Sequence, residues 1–270
     1  MTGLKPEDVW EAYEGDNYQC IDTGTESDIC YIFFSSNGLY FPDEKEVFQR
    51  EIIQKDRYEW KWVVNHSGIP KKAGRVIYVR DVFKDWYSMG ISRAVNTIDK
   101  TLDLLKSLTE GYRIVTIGSS AGGYMAVLAA VRLQAAWCIN FSGQYKVNTA
   151  VQREYQDLTQ ILKDYDGTVF YFVPLRSQQD LEQYEFVKDI ACIKFFLFTG
   201  KKHADTMLTG NMLYVIDKDI DGLILLYNHY EGREIDKIRF LFYTVPLRGI
   251  MRIAPKEIMG FVKRRLGLER

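Results

Sequence analysis

Apolar residues in this chain fall into two alternating patterns. Short, β-branched or aromatic runs recur at residues 18–21, 29–34, 75–79, 113–117, 136–141, 168–173 and 194–198. Runs of that length bounded by polar or glycine-containing turns predict strands. Between them lie longer stretches with helical spacing. Ile91, Ala94, Val95, Ile98, Leu102, Leu105 and Leu108 recur at three- and four-residue steps, which predicts a helix closed by Gly111. A second helix is predicted from Ala121, where Gly122, Gly123, Ala126, Ala129 and Ala130 leave a slim face for close packing on a sheet. Strands alternating with helices predict an α/β domain, a mostly parallel sheet with helices on both faces. Residues 44–55 also read as helical, whereas Tyr58, Trp60 and Trp62 alternate like a short strand. From Leu223 onward the pattern predicts one last strand and a closing helix near 254–265.

The junction between the fourth run and its helix carries the chemistry. Arg113-Ile114-Val115-Thr116-Ile117 leads into Gly118-Ser119-Ser120-Ala121-Gly122-Gly123, a Gly-x-Ser-x-Gly pattern between a strand and a helix. This is the arrangement of a nucleophile elbow, in which a serine stands on a sharp strand-to-helix turn with its hydroxyl exposed. Side chains at Gly118 or Gly122 would collide with the neighbouring strand or helix. Ser120 then heads a helix, and the Ala121 N–H lies where an oxyanion forms.

A serine nucleophile needs a histidine to take its proton and an acid to orient that histidine. The chain has three histidines. His66 sits in a polar Asn-His-Ser-Gly turn and reads as a surface residue, and His229 lies between two tyrosines late in the chain. His203 follows the apolar run ending at Phe198 and the segment Thr199-Gly200-Lys201-Lys202. A loop beyond the C-terminal end of a strand is where an open parallel sheet places its active site, so His203 is the expected base. The acid is expected after the run 168–173, where Asp180 is the first carboxylate and Glu182 the alternative. Asp180 also suits a helix cap before Leu181. The loop after Phe141, Ser142-Gly143-Gln144, offers no acid.

In its elbow, its strand order and the succession Ser120, Asp180, His203, the chain resembles the α/β-hydrolase family from about residue 29 to 217. The resemblance implies one α/β-hydrolase domain over 1–270, with its core at about 18–217 and a C-terminal strand and helix extension. It also implies a second oxyanion donor on the loop Phe34-Ser35-Ser36-Asn37-Gly38-Leu39-Tyr40, from the N–H of Ser36 or Asn37. That loop lacks the His-Gly-Gly signature of lipases and hormone-sensitive esterases. The family's pocket-facing loop corresponds here to residues 80–90, where Asp81, Asp85, Trp86 and Tyr87 form an Asp-x-x-x-Asp-Trp-Tyr arrangement. This is similar, more faintly, to serine acyltransferases and esterases acting on bacterial surface glycans. Asp85, Trp86 and Tyr87 are therefore candidate pocket residues, with a helix-entry loop as the alternative reading.

Composition narrows the partners. A length of 270 residues with 47% hydrophobic and 26% charged positions suits one sizeable core. A formal net charge of −1 argues against a nucleic-acid partner. Cys20, Cys30, Cys138 and Cys192 form no CxxC pair, and no histidine pair or acidic cluster has metal-ligand spacing. No glycine cluster continues as Gly-Lys-Ser/Thr, so no phosphate-cradling loop is expected. Residues 1–16 lack a basic start and apolar core, and no apolar run nears the roughly 20 residues of a membrane span, so a cytoplasmic location is expected. The basic tail, with Arg248, Arg252, Lys256, Lys263, Arg264, Arg265 and Arg270, reads as the solvated face of a closing helix. A membrane-surface or partner-binding helix is the second reading of that tail. The expected activity is serine-dependent hydrolysis of a small acyl ester, on a glycan or otherwise, with no cofactor. One alternative is acyl transfer by the same residues, from a donor such as acetyl-CoA to a polysaccharide hydroxyl. The other is an inactive scaffold of the same fold.

Overall fold

The computed structural model describes residues 4–148, 151–206 and 209–244. Among these residues eight strands form one sheet: β1 (Tyr18–Asp22), β2 (Ile29–Phe34), β3 (Arg75–Val79), β4 (Arg113–Ser119), β5 (Trp137–Phe141), β6 (Thr168–Pro174), β7 (Ile193–Phe198) and β8 (Glu234–Ile235). Their spatial order is β1-β3-β2-β4-β5-β6-β7-β8. Only β1 runs antiparallel; the pairings from β3 across to β8 are parallel. A reversed strand at one edge, the β3-β2-β4 crossover and a strand-turn-helix at the centre make this the α/β-hydrolase fold.

Ten helices accompany the strands among the described residues: α1 (Pro6–Tyr13), α2 (Lys45–Phe48), α3 (Lys61–Asn65), α4 (Ile69–Lys72), α5 (Ile98–Leu108), α6 (Ala121–Arg132), α7 (Gln178–Val187), α8 (Thr209–Ile216), α9 (Ile220–Tyr230) and α10 (Lys237–Thr244). The period-2 alternation of the strands sends successive side chains to opposite faces. Cys30, Ile32 and Phe34 of β2 face the layer of α5 and α6, packed with Leu102, Leu105, Met125 and Leu128. Tyr31 and Phe33 face the other layer, with Val64 of α3, Ile69 of α4, Ile216 of α8, Leu226 of α9 and Phe240 of α10. A third cluster, including Val9, Tyr13, Leu39, Phe48 and Val82, seats α1 and α2 against the loops that follow β2 and β3.

Three sequence expectations change. The helix expected from Ile91 starts at Ile98, because Thr97 caps it by accepting the Lys100 N–H at 3.1 Å. Ile91 instead bonds back to the Val95 carbonyl in a tight loop. The aromatic alternation at 58–62 is no strand. Tyr58 and Trp60 are buried in the turn leading to α3, where the Trp60 indole N–H donates to the Phe34 carbonyl at 2.8 Å, and Trp62 lies exposed on the helix. The third change concerns α7, which begins at Gln178, so Asp180 lies inside its first turn and is not its cap. The expected helix at 44–55 forms as α2 running into a π-helical stretch, Gln49–Gln54. The closing helix expected at 254–265 and the basic tail lie outside the described residues. Among those residues no helix is long and apolar enough to cross a membrane.

Candidate active site

The C-terminal ends of the parallel strands gather every loop that the sequence singled out. At the centre, β4 ends at Ser119 and α6 begins at Ala121, which leaves Ser120 to make the turn with φ 52° and ψ −122°. A non-glycine residue held there carries about 1–3 kcal/mol of strain, which the surroundings must offset. The Ser120 N–H donates to the Phe141 carbonyl at 2.9 Å, and its carbonyl accepts the Tyr124 N–H at 3.0 Å. Two glycines make the turn possible. A Cβ on Gly118 would lie 2.0 Å from the Gly122 carbonyl oxygen, and one on Gly122 would lie 2.3 Å from that of Phe34.

Ser120 Oγ lies 2.8 Å from His203 Nε2. His203 Nδ1 lies 3.0 and 3.1 Å from the two carboxylate oxygens of Asp180. An ionised carboxylate only accepts, so Nδ1 carries the imidazole proton and Nε2 presents its lone pair to the serine O–H. Asp180, at 1% exposure, is among the most buried carboxylates of the chain, and its Oδ2 also accepts the Ser177 hydroxyl at 2.5 Å. The first turn of α7 suits a negative charge through the helix dipole. His203 keeps 30% of its side chain open to solvent. Glu182, two residues along α7, is exposed and takes a hydrogen bond from the Gln178 amide at 2.9 Å. His66 is exposed and stacks on Trp62, and His229 is exposed and stacks on Tyr243.

The loop after β2 corrects one expectation. Ser36 N–H is already engaged, donating to Glu59 Oε2 at 2.5 Å, so it is not free to meet an oxyanion. Ser35 N–H donates to the Val79 carbonyl, Gly38 N–H to Ser36 Oγ, and Leu39 N–H to the Ser36 carbonyl. Asn37 is therefore the only residue from 35 to 39 whose amide lacks an acceptor among the described residues. The Ala121 N–H, at the start of α6, has no intrahelical acceptor. The two amides belong to neighbouring segments, because the Gly122 Cα packs against the Phe34 and Ser35 carbonyls. Asn37 also borders a cleft of about 400 Å³ lined by Tyr40, Phe41, Phe83 and Lys84.

The loop after β3 separates its candidate residues. The buried Asp81 carboxylate accepts the N–H groups of Phe83 and Lys84 on Oδ1 and of Asp85 and Tyr87 on Oδ2, at 2.7–3.0 Å. This cradle holds Lys84, Trp86 and Tyr87 at positive φ. Burial pushes the Asp81 carboxyl up to about 6 against the pull of those backbone donors. Tyr87 is no pocket residue. Its ring is fully buried edge-on against Phe34, and its hydroxyl donates to the Ser35 carbonyl. Asp85 accepts the Ser88 hydroxyl within the loop. Trp86 alone of the three reaches across. Its indole N–H donates to Gln144 Oε1, after β5, at 3.2 Å. β2 and β4 lie between β3 and β5, so this contact joins loops from strands three places apart, on either side of the strand that carries Ser120. Sequence reading missed Glu59 and Gln144, since neither carries a local motif. Among the described residues no three His, Cys, Asp or Glu side chains form a metal-binding group.

No protein-family model matches this sequence, and no curated protein matches it. Solved structures with a similar chain trace include a lipase-esterase related protein from Clostridium acetobutylicum, 13% identical over 70% of this chain and 93% of that one, with a TM-score of 0.45. The capsule O-acetyltransferase of Neisseria meningitidis serogroup A is 13% identical over 80% and 90%, with a TM-score of 0.47. A carboxylesterase structure from the thaumarchaeon Nitrososphaera gargenis is 14% identical over 78% and 94%, with a TM-score of 0.49. At these identities the likeness is one of fold and assigns no activity to this chain.

Proposed function

We propose that this chain is a serine-dependent ester hydrolase that works through an acyl-Ser120 intermediate. The observation that carries the reading is the unbroken line Ser120 Oγ–His203 Nε2 and His203 Nδ1–Asp180, with the serine held on a strained elbow. His203 takes the Ser120 proton as Oγ attacks the ester carbonyl carbon. The carbonyl electrons move onto oxygen, between the N–H groups of Ala121 and Asn37. Collapse of the tetrahedral species breaks the bond to the alcohol, which leaves with the proton from His203 Nε2. A water then repeats the sequence in reverse, giving its proton to His203 and releasing the acid and free Ser120. Asp180 keeps the imidazole in the productive tautomer and stabilises its charged form. The partial exposure of His203 favours water as the acyl acceptor, since solvent reaches the base directly. Trp86, bonded to Gln144 of the loop after β5, and the cleft beside Asn37 are the proposed surfaces for the two sides of a small acyl ester.

A fluorophosphonate probe tests the reading. Wild-type protein is expected to label at Ser120, Ser120→Ala to lose all label with an unchanged melting temperature, and Ser119→Ala to keep it. Labelling that survives Ser120→Ala sinks the assignment. Turnover of p-nitrophenyl acetate with and without sugar alcohols distinguishes the acceptor: acetylated sugar in place of acetate would make the chain an acyltransferase.

A further inference from the structure

Glu59 lies in the turn before α3, far along the chain from the loop that follows β2, yet both its carboxylate oxygens are committed to that loop. Oε2 accepts Ser36 N–H at 2.5 Å and Oε1 accepts the Ser36 hydroxyl at 2.9 Å. The same hydroxyl oxygen accepts Gly38 N–H at 2.9 Å, so the grip on Ser36 extends past Asn37. Trp60, the next residue, anchors the turn by donating its indole N–H to the Phe34 carbonyl at the end of β2. Burial raises the Glu59 carboxyl above its ordinary range, and the two bonds from Ser36 oppose that rise. A carboxylate kept in a sparsely solvated place by two donors of one residue is costly to retain unless those donors need it.

We propose that Glu59 is a positioning residue of the reaction: it holds the Ser36 amide away from the substrate and fixes the segment so that Asn37 N–H is the second oxyanion donor. This rests on the serine-hydrolase reading above. Residues 36–38 contain a glycine and no regular structure, so without Glu59 the Ser36 amide and hydroxyl lose the tether that fixes the segment. Donor placement must be right to about 1 Å, and a misplacement of that size costs roughly 100-fold in rate. The oxyanion is absent from the ground-state complex and forms only along the reaction, so the loss falls on kcat and spares KM.

The test measures steady-state hydrolysis of p-nitrophenyl acetate and fluorophosphonate labelling rates for wild type, Glu59→Ala and Glu59→Gln. Glu59→Ala is expected to lower kcat and the labelling rate by about 10- to 100-fold with KM nearly unchanged, the range that one misplaced oxyanion donor costs. Glu59→Gln is expected to restore most of the rate. Its amide oxygen accepts Ser36 N–H, and its NH₂ donates to the second lone pair of Ser36 Oγ. Unchanged kcat in Glu59→Ala, or a rise in KM alone, overturns the role, as does a glutamine variant as slow as the alanine one. Should Glu59→Ala fail to fold, Ser36→Ala removes the hydroxyl half of the contact together with the acceptor of Gly38 N–H. A several-fold loss in kcat at constant KM is then expected, and an unaltered kcat overturns the role. If wild-type protein neither turns over nor labels, the hydrolase reading falls and the Glu59 role with it. If wild type is active and Glu59→Ala matches it, only the latter falls.

Discussion

The elbow at Ser120 and the loop after β2 present the two amides proposed to meet the oxyanion, and they are built in opposite ways. The elbow is made by its own residues. Gly118 and Gly122 admit the carbonyls that press on them, and Ser120 takes the strained conformation because strand and helix continue without a break on either side. The loop has no such internal logic. Its conformation depends on Val79 from a neighbouring strand and on Glu59 from a remote turn. A turn dictated by steric exclusion is written in a short motif. A loop shaped by hydrogen bonds from distant residues leaves no local trace, which is why Ser36 and Asn37 stood as equal candidates until their partners were known.

If the elbow side is the engine, breaking its proton relay must cost more than any change in the loop. His203→Ala is expected to be nearly as damaging as loss of the serine, about 10⁶-fold in kcat, because members of such a relay act as a unit. His66→Ala and His229→Ala serve as controls and should change turnover little, since both rings stack on surface aromatics away from the relay. Activity that persists in His203→Ala and vanishes in His229→Ala would move the base to α9. Next in size is Asp180→Asn, expected to cost about 10⁴-fold by presenting the wrong imidazole tautomer. Glu182→Gln should stay within a few-fold of wild type, its carboxylate being exposed and bonded to Gln178. Small losses in both variants would reduce the relay to a serine–histidine pair.

The loop side is predicted to yield a smaller effect than loss of His203 or Asp180. Asn37→Pro deletes one N–H and is expected to lower kcat by about 10²–10³-fold with the melting temperature checked in parallel, the usual cost of one oxyanion donor. Asn37→Ala, which keeps the N–H, should be close to wild type. Equal losses in the two variants would assign the effect to the side chain and not to the amide, and would erase the proposed division between elbow and loop.

Other positions repeat the contrast. The strands at 29–34 and 75–79 were legible to the residue, because strands of a sheet covered on both faces are buried almost throughout and so read as continuous apolar runs with polar boundaries. The beginning of α5 was misplaced by seven residues because apolar spacing continues through 91–95 while Thr97 interrupts the backbone. Tyr87 looked like a pocket residue beside Trp86 and Asp85, yet the Asp81 cradle turns it into the core and leaves Trp86 to reach Gln144.

Periodicity and the glycine-flanked serine were enough to specify a parallel sheet with helices on both faces and a serine at the head of its central helix. Both depend on short-range sterics and on the partition of apolar side chains, which act on neighbours in the chain. Candidate partners for the serine were legible only as residue types at the ends of later strands. Their meeting at 2.8 and 3.0 Å, the bond that ties Glu182 to Gln178 and the tether from Glu59 to Ser36 are properties of the folded molecule. Hydrogen bonds need positions correct to a few tenths of an ångström and angles to match. Segments separated by 23 and 83 residues acquire that precision only when the sheet brings their loops to one edge.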